Sequence, residues 1–155
     1  MNETELLKEI NDLSDQIKTG ELFPRDLKES DWDTLVEWWD WWPGWTAPAK
    51  DFLPENGTGG IMVEKDNIPI VAGFIYVTNS KGVLLEWIVS NPNYRENDRK
   101  QAIELLIKEA EGLTKRLGYK YMFTIGRSKS LINTHKKLGW IVDDKPSHEI
   151  TKKLI

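Results

Sequence analysis

Apolar residues recur at helical spacing in four stretches of the chain. The first stretch, residues 3–19, is predicted to be an amphipathic helix that Gly20 stops. Three further helices are predicted over residues 30–42, 97–117 and 128–138, and each is followed by a glycine or a Pro-Gly pair. The helix over residues 97–117 is the longest of the four and is amphipathic.

Strand-like segments lie between these helices, over residues 22–27, 61–64, 68–77, 83–90, 119–125, 140–142 and 149–154. The turn Lys65-Asp66-Asn67 reads as a hairpin, and residues 45–60, with two prolines and three glycines, read as a loop with a helical turn. The order predicts one α+β domain over residues 21–155, with a mixed, mostly antiparallel sheet flanked by helices. Residues 1–20 are then an N-terminal helical extension.

The composition narrows the range of functions. The 155 residues are 39% hydrophobic and 30% charged with a net charge of −4, which is typical of a globular protein without a strong field for nucleic acid. The chain has no cysteine and only two histidines, so disulfides and thiol catalysis are excluded and no metal site is expected. No membrane span and no signal peptide are predicted, and the expected compartment is the cytoplasm.

The most informative segment joins the strand over residues 83–90 to the helix that follows it. The strand ends at Pro92, and a short polar loop with Arg95 and Arg99 opens the helix. A helix N-terminus directs unpaired N–H groups and the positive end of its dipole to one place, so the segment predicts an anion site. Glycines, which usually let such a loop approach a phosphate closely, are absent from it.

Several motifs in this order resemble those of the Gcn5-related N-acetyltransferase (GNAT) superfamily. The segment Pro92-Asn93-Tyr94-Arg95 resembles the Pro-x-Tyr-Arg of that family, and Ala102-Ile103 follows at the expected distance. Later, the run His135 to Trp140 (HKKLGW) stands where the family often has Tyr-x-Lys-Leu-Gly-Phe. The resemblance covers roughly residues 22–155 and is closest to glycine-poor, tryptophan-rich versions that suggest a bacteriophage source.

The resemblance implies acetyl-coenzyme A as co-substrate, with its pyrophosphate on the loop. The family pattern Arg/Gln-x-x-Gly-x-Gly/Ala begins at Arg95, but Asp98 and Lys100 occupy the two small positions. Asp98 adds a negative charge there, and Arg95, Arg99 and Lys100 are expected to compensate for it. The implied cofactor-binding residues are Ile88, Val89, Ser90, Arg95, Asn97, Asp98, Arg99, Lys100 and Ser128.

Two residues are implied to carry the chemistry of acetyl transfer to an amine. Glu86, on the strand before the loop, is the candidate general base, acting directly or through a water. His135 stands where many relatives have a tyrosine and is the candidate acid for the thiolate. Tyr121 and Thr124 are weaker candidates on the neighbouring strand. The alternative readings are a partly exposed strand carboxylate and a helix-surface histidine.

Six of the eight tryptophans fall into two groups. Leu35, Trp38, Trp39 and Trp42 share one helix face and are predicted to be core. Trp41, Trp45, Trp87 and Tyr121 are candidates to bind the amine acceptor, a small molecule or a protein, although a homodimer interface would explain exposed tryptophans equally well. The competing function is a non-catalytic GNAT-like module with a degenerate cofactor loop, and modification of nucleic acid is a third reading with little support.

Overall fold

The computed structural model of the chain describes residues 2–8 and 20–155. It divides into two compact units, one ending at Ile125 and the other running from Gly126 to Ile155. Residues 3–8 are helical, in agreement with the predicted N-terminal helix, and the remainder of that helix lies outside the described residues. The domain boundary at residue 20 stays a prediction.

A five-stranded sheet forms the centre of the first unit, with its strands side by side in chain order. The first four strands pair antiparallel and the fifth pairs parallel to the fourth, so the predicted mixed, mostly antiparallel sheet is confirmed. The strands are β1 (Phe23–Asp26), β2 (Gly60–Lys65), β3 (Ile68–Tyr76), β4 (Gly82–Ser90) and β5 (Tyr121–Phe123).

Helices α1 (Trp32–Trp41) and α2 (Arg99–Arg116) belong to the first unit and α3 (Lys129–Lys137) to the second. Each lies within two residues of its predicted bounds. The predicted loop before β2 contains two short 3-10 turns, Lys50–Phe52 and Pro54–Gly57, and a third turn, Glu29–Asp31, precedes α1.

Helix α1 buries its apolar face on the sheet, as its spacing predicted. Leu35 and Trp39 are fully buried, and Trp39 stacks on Phe74 of β3 with ring centroids 6.1 Å apart. The buried side chains of α2, among them Leu106 and Ile107, cover strands β2 and β3. Successive side chains of a strand point to opposite faces of the sheet. Helix α1 covers one face and helix α2 covers the other.

A bulge interrupts the pairing of β3 with β4. Ala72 pairs with Val89 and Phe74 pairs with Glu86, so the single residue Gly73 stands opposite two residues of β4. The first of these two, Trp87, has a φ of 57°, a left-handed conformation that costs an L-residue roughly 1–2 kcal/mol. A strained backbone persists only where the surrounding structure holds it in place, and such positions cluster at functional sites.

The two closing strands predicted over residues 140–142 and 149–154 are not formed. These residues have no regular secondary structure, and the side chains of Ile141, Ile150 and Leu154 are exposed. Apolar β-branched residues favour a strand, but a strand exists only where a neighbour supplies hydrogen bonds and a packing surface. Residues 140–155 pair with no strand in the second unit, so the prediction was wrong there.

Candidate cofactor and catalytic site

The C-terminal end of β4 meets the end of α1 at Ser90. The indole Nε1–H of Trp42 donates to the Ser90 carbonyl over 2.9 Å, and a guanidinium N–H of Arg99 donates to the Ser90 hydroxyl over 2.8 Å. Trp42 is the first residue past α1 and has an extended backbone, which lets its ring leave the helix. Three elements, α1, β4 and the first turn of α2, are therefore held together at one point.

Two arginines lie against the tryptophans at this junction. The guanidinium carbons of Arg95 and Arg99 lie 5.7 and 5.5 Å from the ring centroid of Trp42, and that of Arg95 also lies 5.9 Å from Trp41. Guanidinium groups over an indole are held by cation–π attraction. We call this group, Arg95 and Arg99 with Trp41 and Trp42, the arginine–tryptophan cluster.

The cluster carries uncompensated positive charge. Across residues 2–8 and 20–155, neither Arg95 nor Arg99 forms an ion pair with a carboxylate. Burial and then the neighbouring charge of Arg95 lower the pKa of Arg99. The Nε of Arg99 is buried and has no hydrogen-bond partner. Two like charges with an unused donor favour an anionic ligand.

Asp98, the residue that argued against an anion site, is neutralised by its neighbours. Its carboxylate accepts from Lys65 over 2.8 Å and from the Tyr94 hydroxyl over 2.6 Å. The hydrogen bond from Lys65, followed by that from Tyr94, lowers the pKa of Asp98. Burial and the bond to Asp98 raise the pKa of Tyr94 to about 12. Asp98 is thus a structural group of the loop and its charge is paired.

The first turn of α2 provides backbone donors next to these side chains. The N–H of Arg99 bonds the carbonyl of Glu96, and the first helical bond runs from Ala102 to Asp98. Between them, the N–H groups of Lys100 and Gln101 have no partner in the described part of the chain. Asn97 and Lys100 are exposed at this turn. Neither the Asp98 nor the Lys100 side chain is hydrogen-bonded to these two backbone N–H groups, which therefore stay available to a ligand.

Glu86 lies where β4 and β5 separate. The two strands pair only from Gly82 with Tyr121 to Leu84 with Phe123. Beyond this point the side chain of Glu86 takes the place of a ladder bond, because its Oε1 accepts the N–H of Ile125 over 2.6 Å and the Thr124 hydroxyl over 3.4 Å. Glu86 is only 6% exposed, so its carboxylate is withdrawn from water.

The other predicted residues of β4 surround the bulge. Trp87 meets Trp39 and Phe52 edge-on, each with centroids 6.1 Å apart. Val89 is buried, and the Ile88 side chain lies on the opposite face, 3.2 Å from where a Cβ on Gly73 would stand. A residue larger than glycine at position 73 would therefore press on Ile88 and disturb the bulge.

The second unit contains His135 and Ser128. The Ser128 hydroxyl accepts the N–H of Leu131 and so caps α3. His135 is 3% exposed, its Nδ1 lies 2.8 Å from the Leu131 carbonyl, and its ring packs edge-on against Trp140. A carbonyl oxygen can only accept a hydrogen bond. In the neutral ring the proton is therefore assigned to Nδ1, and Nε2 keeps a lone pair. That Nε2 is buried and has no partner. His135 is thus a buried residue and the helix-surface reading is wrong.

The residues predicted to bind the acceptor occupy different surroundings. Trp41 is exposed and lies against Arg95 in the arginine–tryptophan cluster, while Trp45 packs half-buried on the core below α1. Tyr121 is exposed on β5, one strand away from Glu86. Of the predicted core residues of α1, Trp38 and Trp39 are buried and Trp42 is half-buried at the junction.

Sequence reasoning missed three contributors to this region. Trp42 was assigned to the core, and its place after α1 in an extended conformation carried no signal in the apolar spacing. Tyr94 was noticed only as part of a motif, although a phenol four residues before Asp98 is a natural partner for it. Lys65 lies 33 residues before Asp98 in a hairpin turn, and no local pattern joins the two.

Comparison with solved structures shows that the chain has the GNAT acetyltransferase fold. One similar structure is the ribosomal-protein-S18-alanine N-acetyltransferase from Escherichia coli (13% identity, TM-score 0.61, 77% of each chain). Another is the aminoglycoside acetyltransferase AAC(6′)-Iy with a bisubstrate analogue (17%, 0.59, 86% of this chain and 100% of that one). A third is a GNAT-family acetyltransferase from Streptococcus pneumoniae (11%, 0.57, 86% and 100%). No family model and no curated protein matches the sequence.

Within the described ranges, no helix is long and apolar enough to cross a membrane. No group of three or more His, Asp or Glu side chains among these residues is placed to hold a metal ion.

Proposed function

We propose that this chain is an acetyl-coenzyme A-dependent N-acetyltransferase that acts on an amine. The observation that carries the proposal is the uncompensated arginine pair at the N-terminus of α2, next to a bulged strand with a buried carboxylate. Similar structures include enzymes solved with coenzyme A derivatives, such as the bisubstrate complex of AAC(6′)-Iy.

The phosphates of the co-substrate would bind at the first turn of α2. The free N–H groups of Lys100 and Gln101 donate to phosphate oxygens there, and the helix dipole adds to the attraction. A glycine-rich loop lets the backbone itself approach the phosphates closely. This loop approaches them less closely, and the guanidinium groups of Arg95 and Arg99 reach the anion instead and supply positive charge. The exposed side chains of Asn97 and Lys100 are free to turn toward the ligand.

Acetyl transfer requires two protons to leave the acceptor ammonium, one before the attack and one after it, and one proton to reach the departing sulfur. Glu86 is the group that takes the first proton, since its carboxylate is buried on β4 and its Oε1 is held by the Ile125 N–H and the Thr124 hydroxyl. The amine then forms a bond with the carbonyl carbon as the carbon–sulfur bond breaks, and the nitrogen releases its second proton to water. The bulged backbone at Ile88 is the donor proposed for the thioester oxygen, because its geometry departs from the ladder.

His135 is the residue proposed to deliver the proton to the departing sulfur. With Nδ1–H bound to the Leu131 carbonyl, the neutral ring has a bare Nε2, so it acts as an acid only after taking up a second proton. In the neutral form it accepts a hydrogen bond from the thiol product. The substitution His135→Gln, which keeps a hydrogen-bonding group but cannot carry a proton, separates these two roles.

Calorimetric titration with acetyl-coenzyme A tests the proposal directly. We expect binding near micromolar, and release of thiol when a panel of primary amines is added. The chain has no cysteine, so a thiol-reactive dye reports the released coenzyme A without a protein background. An absence of binding at millimolar acetyl-coenzyme A would overturn the enzyme assignment.

A second candidate is a non-catalytic module that uses the same fold to bind a partner, including a second copy of the chain. The observation that favours it is the exposure of Trp41, 53%, beside a basic pair on an otherwise acidic chain. Tight binding of acetyl-coenzyme A without any thiol release across the amine panel would support this second candidate.

A further inference from the structure

A separate cavity opens at the other end of the sheet. Its volume is about 520 Å³, within the range of small-molecule sites, and it lies between the 3-10 turns before β2, the end of β3 and the end of α2. Phe52, Val77 and Leu117 each leave half or more of their surface exposed, and all three converge on this cavity. Apolar side chains exposed together in a concave place mark a binding surface.

The charge around this cavity is negative. Asp26 and Glu55 are its charged lining residues, and no lysine, arginine or histidine lines it among the described residues. Neither carboxylate forms an ion pair within those residues. Arg25, the residue before Asp26, is committed elsewhere, since it pairs with Asp31 over 2.8 Å and with Glu64 over 2.9 Å.

The wall that carries Glu55 has a fixed geometry. Glu55 and Asn56 both have left-handed φ values, 49° and 51°, which are costly for residues other than glycine. The turn is held by the Thr58 hydroxyl on the Glu55 carbonyl and by the Gly59 N–H on the Pro54 carbonyl, each over 2.9 Å. A Cβ on Gly59 would lie 2.6 Å from the Cβ of Pro54, so the wall closes tightly on backbone.

This cavity is distinct from the proposed coenzyme A site. Its residues Ile75 and Tyr76 pair with Leu85 and Leu84, whereas Ser90 pairs with Val71. Val71, which lies opposite Ser90, and Tyr76 are five positions apart on β3, which is roughly 17 Å along the strand. We propose that the cavity binds an amphipathic organic cation, with its apolar body against Phe52, Val77 and Leu117 and its ammonium between Asp26 and Glu55.

The proposal is tested on the full chain without coenzyme A, with 2-phenylethylamine as the probe and 3-phenylpropanoate as its oppositely charged match. Backbone amide chemical shifts locate each probe and give its affinity. We expect the amine to bind about tenfold more tightly than the carboxylate, with shifts at Thr58, Tyr76 and Val77. The double variant D26N/E55Q should abolish this preference, while Val77→Ser should weaken both probes equally.

The matched control is D33N/E37Q, which removes the same charge from exposed positions of α1 and should keep the preference. Equal binding of both probes to the unchanged protein would overturn the proposal. So would an amine preference that survives D26N/E55Q, or shifts centred on Glu86 and Trp87. The outcome does not depend on acetyl-coenzyme A, so this site and the proposed enzyme activity can fail independently.

Discussion

The two parts of the candidate site are built in opposite ways. The loop, with Arg95 and Arg99, is charged, partly exposed and held by side chains that come from three elements. The bulge of β4, with Glu86 and Trp87, is buried and held by the backbone of neighbouring strands. In the loop the two arginine charges have no carboxylate partner among the described residues. At the bulge a buried carboxylate is held by the Ile125 N–H and the Thr124 hydroxyl.

This difference assigns the two parts to different steps of the proposed reaction. Changes in the loop should alter the affinity for acetyl-coenzyme A and leave the turnover of the bound complex nearly unchanged. Changes at the bulge should do the reverse. Four measurements test this separation.

The largest effect is expected from Glu86→Gln. The amide keeps the size of the side chain but cannot take a proton, so kcat should fall by roughly 10²- to 10⁴-fold while the affinity for acetyl-coenzyme A stays the same. Stopped-flow detection of the released thiol gives kcat, and calorimetry gives the affinity. Thr124→Val is the control, because it removes one donor to Glu86 and leaves the carboxylate in place. A kcat for Glu86→Gln within threefold of the parent would contradict the role of Glu86 as base.

The second effect is on binding. The double variant R95A/R99A removes both charges of the arginine–tryptophan cluster and should weaken acetyl-coenzyme A binding by about 10- to 100-fold, since a hydrogen bond to a charged group contributes about 1.5–3 kcal/mol. K115A/R116A removes equal charge from the other end of α2 and should change the affinity little. If both double variants bind equally well, the cluster has no part in holding the phosphates.

The third effect tests the pairing of Asp98 by a double-mutant cycle. Lys65→Met leaves the Asp98 carboxylate without its cation beside the anion site, so acetyl-coenzyme A affinity should fall about threefold. The variant K65M/D98N also removes the negative charge of Asp98, which Lys65→Met leaves unpaired, and should recover the parental affinity. A further loss in the double variant would mean that Asp98 itself contacts the ligand.

The smallest effect is the pH dependence of stability that comes from Asp98. Lys65 lowers the folded pKa of this carboxyl, so its stabilising contribution is present above the unfolded pKa of about 3.9 and disappears as the pH falls through the folded value. Asp98→Asn should therefore lower Tm by about 1–3 °C at pH 7 and by progressively less below pH 4. Thermal melts from pH 3 to 7 measure this, and a difference that grows toward acid would reverse the sign of the argument.

Much of the fold could be predicted because the relevant signals are local. Helical spacing gave α1, α2 and α3 within two residues of their bounds, and the turn at Lys65 to Asn67 gave the hairpin of β2 and β3. The closing strands were predicted from the same kind of signal and are not formed. Their residues favour a strand, yet the pairing partner that a strand requires is a tertiary contact, and no propensity supplies it.

The candidate site was predictable only in part. Glu86, Arg95 and Arg99 were identified because the residues lie within one strand–loop–helix segment. The surroundings of these three residues were not predicted, because they depend on residues that are distant in the chain. Ile125, 39 residues away, holds Glu86, and Trp42 lies 48 residues from the Ser90 carbonyl that it contacts.

The sequence by itself determined the class of fold, the order of the helices and strands that form, and the position of the helix N-terminus that we propose binds an anion, since periodicity and turn residues act over a few positions. Only the tertiary structure decided which of the charges at that N-terminus are paired with an opposite charge. The sequence placed Asp98 among three basic residues and left the balance of charge open. The fold brings Lys65 and the Tyr94 hydroxyl onto Asp98 and places both arginines on Trp42, because pairing between charges depends on distance in space and not on distance along the chain.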